Sequence, residues 1–369
     1  MKTPMPDPVR DARAMSGEYP RNSAGLIDAK SMDLPTLTAW IVASFDETPR
    51  RALNVYKALW QQGAASFAEM TGVHRPLRDA LTRTAAIEHL VPERVLPAAD
   101  GTTKFLWALH DGHAIESVLI PEGDRITLCM SSQVGCAMAC TFCLTADLGL
   151  KRHLTAAEIA NQALQVAKTL PPGDRITNLV LMGMGEPLHN LDNLVIALSH
   201  CLNDDGLNFS HRRVTVSTVG LVPRMAELAA RLPVNLAVSL NASTDAQRRQ
   251  IMPITKRHSL DELMQACRAF PLPTGKRITF EYVMLAGFND SLEDAERVRQ
   301  LLQGISAKVN LIPYNENPDR DLRRPSDEQV WAFQNYLVSR GVSCSVRITR
   351  GIDISAACGQ LGKARGASQ

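Results

Sequence analysis

The chain has few aromatic residues, 5% of the total, and only eight cysteines among 369 positions. It lacks any unbroken apolar run of about eighteen residues, the length a membrane-spanning helix needs. It also lacks net charge, with 40 Lys and Arg set against 38 Asp and Glu. Each shortage excludes something. Cysteines this sparse cannot make a disulfide scaffold, so their spacing matters more than their number. No membrane partner is expected. Neutrality excludes binding to nucleic acid through bulk charge, while leaving local basic patches open. The opening MKTPMPDPVR carries three prolines and no apolar stretch, so no secretory leader is expected and a cytoplasmic location follows. What is plentiful is hydrophobic side chain, 45% of the chain. That is incompatible with global disorder and enough to bury a sizeable core, in one large domain or two ordinary ones.

The texture changes along the chain. Residues 1–35 are polar, proline-rich and aperiodic, which predicts a disordered or loosely attached tail. Over residues 36–97 apolar residues recur at spacings of three and four, as in Leu37, Trp40, Ile41 and Phe45, or Val55, Tyr56 and Leu59, predicting a small helical domain. Residues 98–121 read as a short β-extension: two strands, Thr103–Trp107 and Ala114–Ile120, around the turn at Asp111-Gly112. From residue 122 to about 350 strands and helices alternate. Strands are predicted at 125–130, 178–182, 214–218, 235–240, 277–285, 308–313 and 343–348, with Thr155 and Glu158 forming a capping box before a helix at 155–170. Short connections between alternating elements predict an α/β fold with a parallel sheet. A closed eight-fold barrel needs about 250 residues, so a partial (β/α)6 barrel fits better. A C-terminal segment, 351–369, follows. Chemistry in such folds gathers at the C-terminal ends of the strands.

Cys136, Cys140 and Cys143 lie just past the first barrel strand, spaced C-x3-C-x2-C in GCAMACTFC. Three ordinary thiols so close together would be an oxidation hazard. A structural zinc site would want a fourth ligand, for which His153 is the nearest candidate, without a partner motif. An iron–sulfur cluster usually takes four cysteines, so three leave one iron open to bind substrate. One strand further on, Gly183-Met184-Gly185-Glu186-Pro187 makes a turn whose glycines let backbone approach an ammonium group and whose Glu186 supplies charge.

The cysteine spacing and this turn together resemble the radical S-adenosylmethionine (SAM) enzymes. TLCMSSQVGCAMACTFC, MGMGEPL, VTVSTVG, AVSLNA and DISAACGQL resemble, more narrowly, the RlmN/Cfr family of RNA methyltransferases, over roughly residues 95–362. The resemblance implies a radical SAM barrel in which Cys136, Cys140 and Cys143 hold a [4Fe–4S] cluster whose open iron chelates SAM. One electron then cleaves SAM to a 5′-deoxyadenosyl radical. It implies further SAM contacts from Gly185, Glu186, Ser217, Ser239, Leu240, Asn241 and Asn315. Cys358 would be methylated on sulfur, lose a hydrogen atom to the radical and add to the adenine ring. Cys129 would resolve the crosslink, leaving a transient Cys129–Cys358 disulfide, and Glu116 would accept the proton. The implied substrate is 23S rRNA at C2 of an adenosine, with certain tRNAs in addition, or C8 in the Cfr manner. The implied electron donor is of the flavodoxin or ferredoxin kind.

On their own residue types the same positions read more blandly. Cys129 is a small hydrophobe in an apolar strand, Glu116 a solvated strand charge, and the strand-end Ser and Asn residues turn chemistry. Cys201, Cys267 and Cys344 match nothing and are expected in the core. Leu144, Asp147, Asn241 and Tyr314 depart from the residues usual in the family and bear on which carbon and which RNA is modified. Basic groups at Lys151–His153, His211–Arg213, Arg248-Arg249, Lys256–His258, Arg323-Arg324, Arg347 with Arg350, and Lys363 with Arg365 would supply a phosphate-binding rim. The competing readings are an iron–sulfur or zinc module without catalysis, and a radical SAM enzyme acting on protein or small molecules. The pair Cys129 and Cys358 argues against both.

Overall fold

A computed structural model describes residues 19–273 and 275–362. The chain divides into two compact units.

The first unit joins the N-terminal residues, up to Val91, to two later segments, Leu154–Pro172 and Asp192–Ser210. Its helices are α1 (Leu34–Phe45), α2 (Pro49–Trp60) and α3 (Arg75–Thr84), followed by α4 (Ala156–Ala167) and α5 (Leu191–Leu202). Asp33 caps α1 by accepting the Thr36 N–H at 2.9 Å, and prolines stand in the first turns of α1, α2 and α3, where no N–H partner is needed. The capping box of Thr155 and Glu158 forms as the sequence predicts. The loose tail expected over 1–35 is shorter within the described residues. Strand β1 (Ile27–Asp28) pairs in parallel with β2 (Ala85–Ala86), and residues 27–33 are buried. The cause is local polar chemistry: Asp28 accepts from Ser31 Oγ and from Lys30 N, fixing a turn that periodicity cannot show. Residues 1–18 and 363–369 lie outside the described residues.

The second unit carries one ten-stranded sheet. Its strands are β3 (Val91–Pro97), β4 (Thr103–Ala108), β5 (Ala114–Glu122), β6 (Arg125–Cys129), β9 (Asn178–Leu181), β10 (Val214–Thr218), β11 (Asn235–Ser239), β12 (Ile278–Met284), β13 (Ala307–Pro313) and β14 (Ser343–Val346). A separate two-stranded ribbon pairs β7 (Gln133–Val134) with β8 (Arg152–His153). The sheet order is β14-β13-β12-β11-β10-β9-β6-β5-β4-β3. From β6 to β14 neighbours run parallel, as the alternation predicted; β4, β5 and β6 are antiparallel. Among the described residues both ends of the sheet stay open, so the barrel is partial. Strand β3 corrects the expectation that the helical region runs to residue 97. Its prolines, Pro92 and Pro97, mark an edge strand and hid it from the pattern. The parallel core is apolar on one face, where Leu128, Leu179, Val216, Leu236, Val238, Phe280 and Leu311 are fully buried in register, while the other face carries Thr215, Ser217, Ser239, Glu281 and Asn310. Helices α6 (Val222–Arg231), α7 (Asp245–Ile251), α8 (Leu260–Ala269), α9 (Leu292–Leu301) and α10 (Asp327–Ser339) complete the unit. Helix α7 was not expected, because DAQRRQI has no apolar stripe.

Candidate active site

The loop after β6 is laced to the turn after β9. Ser131 Oγ accepts the Met184 N–H at 2.8 Å and donates to the Glu116 carbonyl at 2.6 Å. Ser132 N donates to the Met184 carbonyl, and Asn190 Nδ2 to the Ser132 carbonyl, both at 2.8 Å. Gln133 Oε1 accepts the Glu186 N–H at 2.7 Å. Glycine is required here: a Cβ on Gly183 would stand 2.7 Å from the Met130 carbonyl oxygen, and one on Gly185, whose φ is +100°, 2.5 Å from Gln133. Residue-by-residue reading missed these roles of Ser131, Ser132 and Gln133, although MSSQ lies inside a quoted motif.

The turn presents Glu186 to the lining of a cavity at the C-terminal ends of the strands. Glu186 Oε2 accepts the Val219 N–H at 2.9 Å and Oε1 the Leu188 N–H at 3.2 Å. Burial nevertheless raises this carboxyl to about 7, the backbone donors opposing it. Cys136, Cys140 and Cys143 line the same cavity, together with Gly185, Ser217, Ser239, Asn241, Asn315 and Cys358. The strand ends thus converge as the sequence predicted. Leu240 does not line the cavity: it is fully buried behind the wall, its carbonyl accepting from Arg248 Nε at 3.0 Å. Asn241 reaches the cavity wall in a left-handed conformation, φ +56°. Its Oδ1 accepts from Val283 N at 2.8 Å and its Nδ2 points to the Met252 sulfur, so the amide chiefly locks β11 to β12.

Burial pushes all three cavity thiols up, Cys136 to about 12; neighbouring thiols and Glu186 add to the effect at Cys136 and Cys140, and Asp147 adds to it at Cys143. Thiolates here need a cation. Among the described residues no three His, Cys, Asp or Glu side chains are drawn together tightly enough to hold one metal ion. Ligands of a single zinc sit about 2.3 Å from it and must nearly touch one another. Cysteines spread around a shared cavity suit a multi-iron cluster instead. His153 does not join them; its Nδ1 pairs with Gln133 Nε2 at 2.9 Å. An apolar shell of Ala242, Ile251, Met252, Ile254, Leu285 and Tyr314 packs on Cys140, which explains helix α7: the Ile251 carbonyl accepts the Thr141 N–H.

Cys129 and Cys358 line a smaller adjoining cavity with Arg347. Burial, then the neighbouring Cys358, pushes the Cys129 thiol up to about 12. Cys358 beside Arg347, followed by Glu281, holds that guanidinium above its usual range. Arg347 therefore faces the thiols rather than an outer rim. Arg248 is a second correction to the expected rim: it is 1% exposed and spans two strand ends. Arg249, Lys256, Arg257, Arg323, Arg324 and His211–Arg213 are exposed, and Lys363 and Arg365 lie outside the described residues. Glu116 lies apart, in a third cavity with Lys151 and His113. It is 1% exposed, not solvated, and pairs with Lys104 at 3.3 Å. Cys201 and Cys267 are core residues, whereas Cys344 is half-buried on edge strand β14.

Residues 130–302 match the Radical SAM superfamily, and residues 27–87 match the ribosomal RNA large subunit methyltransferase N-terminal domain. The dual-specificity RNA methyltransferase RlmN of Geobacter sulfurreducens is 51% identical over 336 residues, covering 91% of this chain and 92% of that protein. The chain belongs to the RlmN family. The RlmN protein of an Anaeromyxobacter species is 52% identical over 340 residues, 90% of each chain. The crystal structure of a radical SAM methyltransferase from Sphaerobacter thermophilus superimposes with a TM-score of 0.85 at 40% identity, covering 90% of this chain and 98% of that one. As an RlmN-family member the chain is a radical SAM methyltransferase acting on RNA, with a [4Fe–4S] cluster and SAM as its cofactors. Among the described residues no helix is long and apolar enough to cross a membrane.

Proposed function

We propose that this enzyme methylates C2 of an adenosine in 23S rRNA and in certain tRNAs, through a methyl group carried on Cys358. The observation that carries this reading is the placement of Cys358 in both cavities, beside Cys129 in one and facing the three cysteines in the other. The relatives' name, a dual-specificity RNA methyltransferase, supports two RNA classes.

The cluster and SAM, when bound, supply the 5′-deoxyadenosyl radical. The rest falls to the chain. Cys136, Cys140 and Cys143 would hold the cluster. Gly185 and Glu186 would face the methionine amino group, and Ser217, Ser239 and Asn315 the remainder of SAM. Asn315 Nδ2 donates to the Cys358 carbonyl at 3.2 Å, so one residue would register both cofactor and methyl carrier. Cys129, which lines the same small cavity as Cys358, would close the disulfide with it. Glu116, two residues along β5 from Val118, which pairs with Cys129, lies on the same strand face and would accept the adenine proton. Thiols and cluster both require a reducing compartment, which supports a cytoplasmic location and a flavodoxin-like or ferredoxin-like electron donor.

The test is to incubate the reconstituted enzyme, SAM and a reductant with unmodified rRNA and tRNA, and to map the new methyl group by mass spectrometry. 2-Methyladenosine in both RNAs is expected. An 8-methyl product would move the enzyme to Cfr-like chemistry, and full methylation by Cys358→Ala would end the carrier mechanism.

A further inference from the structure

Lys104 and Glu116 form a buried ion pair at 3.3 Å, with side chains 6% and 1% exposed. The pair grips the C-terminal segment on both sides of Cys358. Lys104 Nζ donates to the Ser355 carbonyl at 3.3 Å, three residues before it, and Glu116 Oε2 accepts the Gly362 N–H at 2.7 Å, four residues after it. Ser355 has φ +51°, a left-handed conformation rare for a residue with a Cβ. Such strain persists only where the surroundings hold it. Between the two grips three neutral hydrogen bonds reach the segment's carbonyls: the Leu144 N–H to Gly359, Asn315 Nδ2 to Cys358 itself, and Thr145 Oγ1 to Leu361.

We propose that the Lys104–Glu116 pair is a clasp that positions the Cys358 loop, and that Lys104 is a positioning residue for methyl transfer. The inference rests on the reading above that Cys358 is the methyl carrier. An ion pair suits the task because it is sequestered, its two side chains 6% and 1% exposed. Removing one partner leaves an uncompensated buried charge, so the clasp is either closed or lost. It also ties the residue assigned to accept the proton to the loop that brings the carbon.

The test measures the rate at which iodoacetamide alkylates free Cys358 in the full-length, cluster-bearing enzyme, read by peptide mass spectrometry, with buried Cys201 as internal reference. Lys104→Met and Glu116→Gln should each speed alkylation of Cys358 at least tenfold while Cys201 stays protected, and Lys104→Arg should restore protection. In Lys104→Met, kcat for RNA methylation should fall at least tenfold with KM for RNA little changed. An unchanged Cys358 rate in both variants would overturn the clasp, as would parallel exposure of Cys201 in both, which reports loss of fold. Lys104→Arg as reactive as Lys104→Met would also overturn it. The carrier reading fails separately: methylation by Cys358→Ala would refute it and leave the alkylation result standing.

Discussion

Gln133 and Glu186 are joined by a 2.7 Å hydrogen bond from the Glu186 N–H to the Gln133 side-chain oxygen. The first residue stands just before the cysteine loop and the second at the turn after the next strand. The bond sets the distance between the proposed cluster ligands and the carboxylate proposed to face SAM. Gln133→Leu keeps the size and removes the acceptor. The expected result is full iron content with SAM bound about tenfold more weakly, the loss of roughly one hydrogen bond's worth of positioning. Iron analysis and equilibrium dialysis check it; unchanged SAM affinity would refute the role.

Arg248 is expected to be a structural residue of the first importance. Its guanidinium donates to the carbonyls of Val219 at 2.6 Å, Ser239 at 3.0 Å and Leu240 at 3.0 Å, and to Thr255 Oγ1 at 3.0 Å. It ties together the C-terminal ends of β10 and β11. Burial lowers its pKa to about 10, leaving it charged at neutral pH. Arg248→Met strands these buried acceptors and should destabilise the protein by about 3–5 kcal/mol. Thermal unfolding checks this. A variant as stable as the parent would show that water replaces the guanidinium without loss.

How far the sequence reaches is visible in these residues. The order of the parallel strands and the convergence of Cys136, Cys140, Cys143 and Glu186 were legible, because strand–helix alternation and short-range spacing encode them. The roles of Arg248 and Glu116 were not legible from their own residue types. Arg248 sits in a polar helix without an apolar stripe, and its partners are carbonyls, which have no sequence signature. Glu116 is buried, and its carboxylate is met by the Gly362 N–H, 246 positions away. A long-range backbone contact leaves no periodicity to read. Asn241 shows the same limit: it stands at the expected strand end, yet its amide serves Val283.

Glu186 gives a pH dependence with a definite sign. Burial raises this carboxyl from 4.5 to about 7. Between those values the unfolded chain releases the proton while the folded chain keeps it, so this group's contribution makes stability fall as pH rises from 4.5 to 7 and stay level above. A bound ammonium needs the ionised form. SAM affinity should therefore rise as pH goes from 6 to 7.5, by at most tenfold per unit. Glu186→Gln should bind more weakly and with a flat profile. Calorimetry on the reconstituted enzyme at constant ionic strength checks both; a sloping profile in the variant would assign the titration elsewhere.

Lys30, in the first unit, gives the opposite slope. It is fully buried, donates to Asn161 Oδ1 at 2.8 Å and lies 5.1 Å from the centre of the Trp60 ring. Burial lowers its pKa from 10.5 to about 7. Between these values the unfolded state holds the extra proton, so stability from this group rises as pH goes from 7 towards 10. Its neighbour Asp28, raised from 3.8 to about 6 by burial, works the other way and over a lower range, so above pH 7 only Lys30 of the two contributes a slope. The measurement is denaturant unfolding of the parent and Lys30→Met at pH 7, 8 and 9. The parent should gain stability relative to the variant at each step. A constant difference across the series would mean that Lys30 stays charged, held by Asn161 and the Trp60 ring.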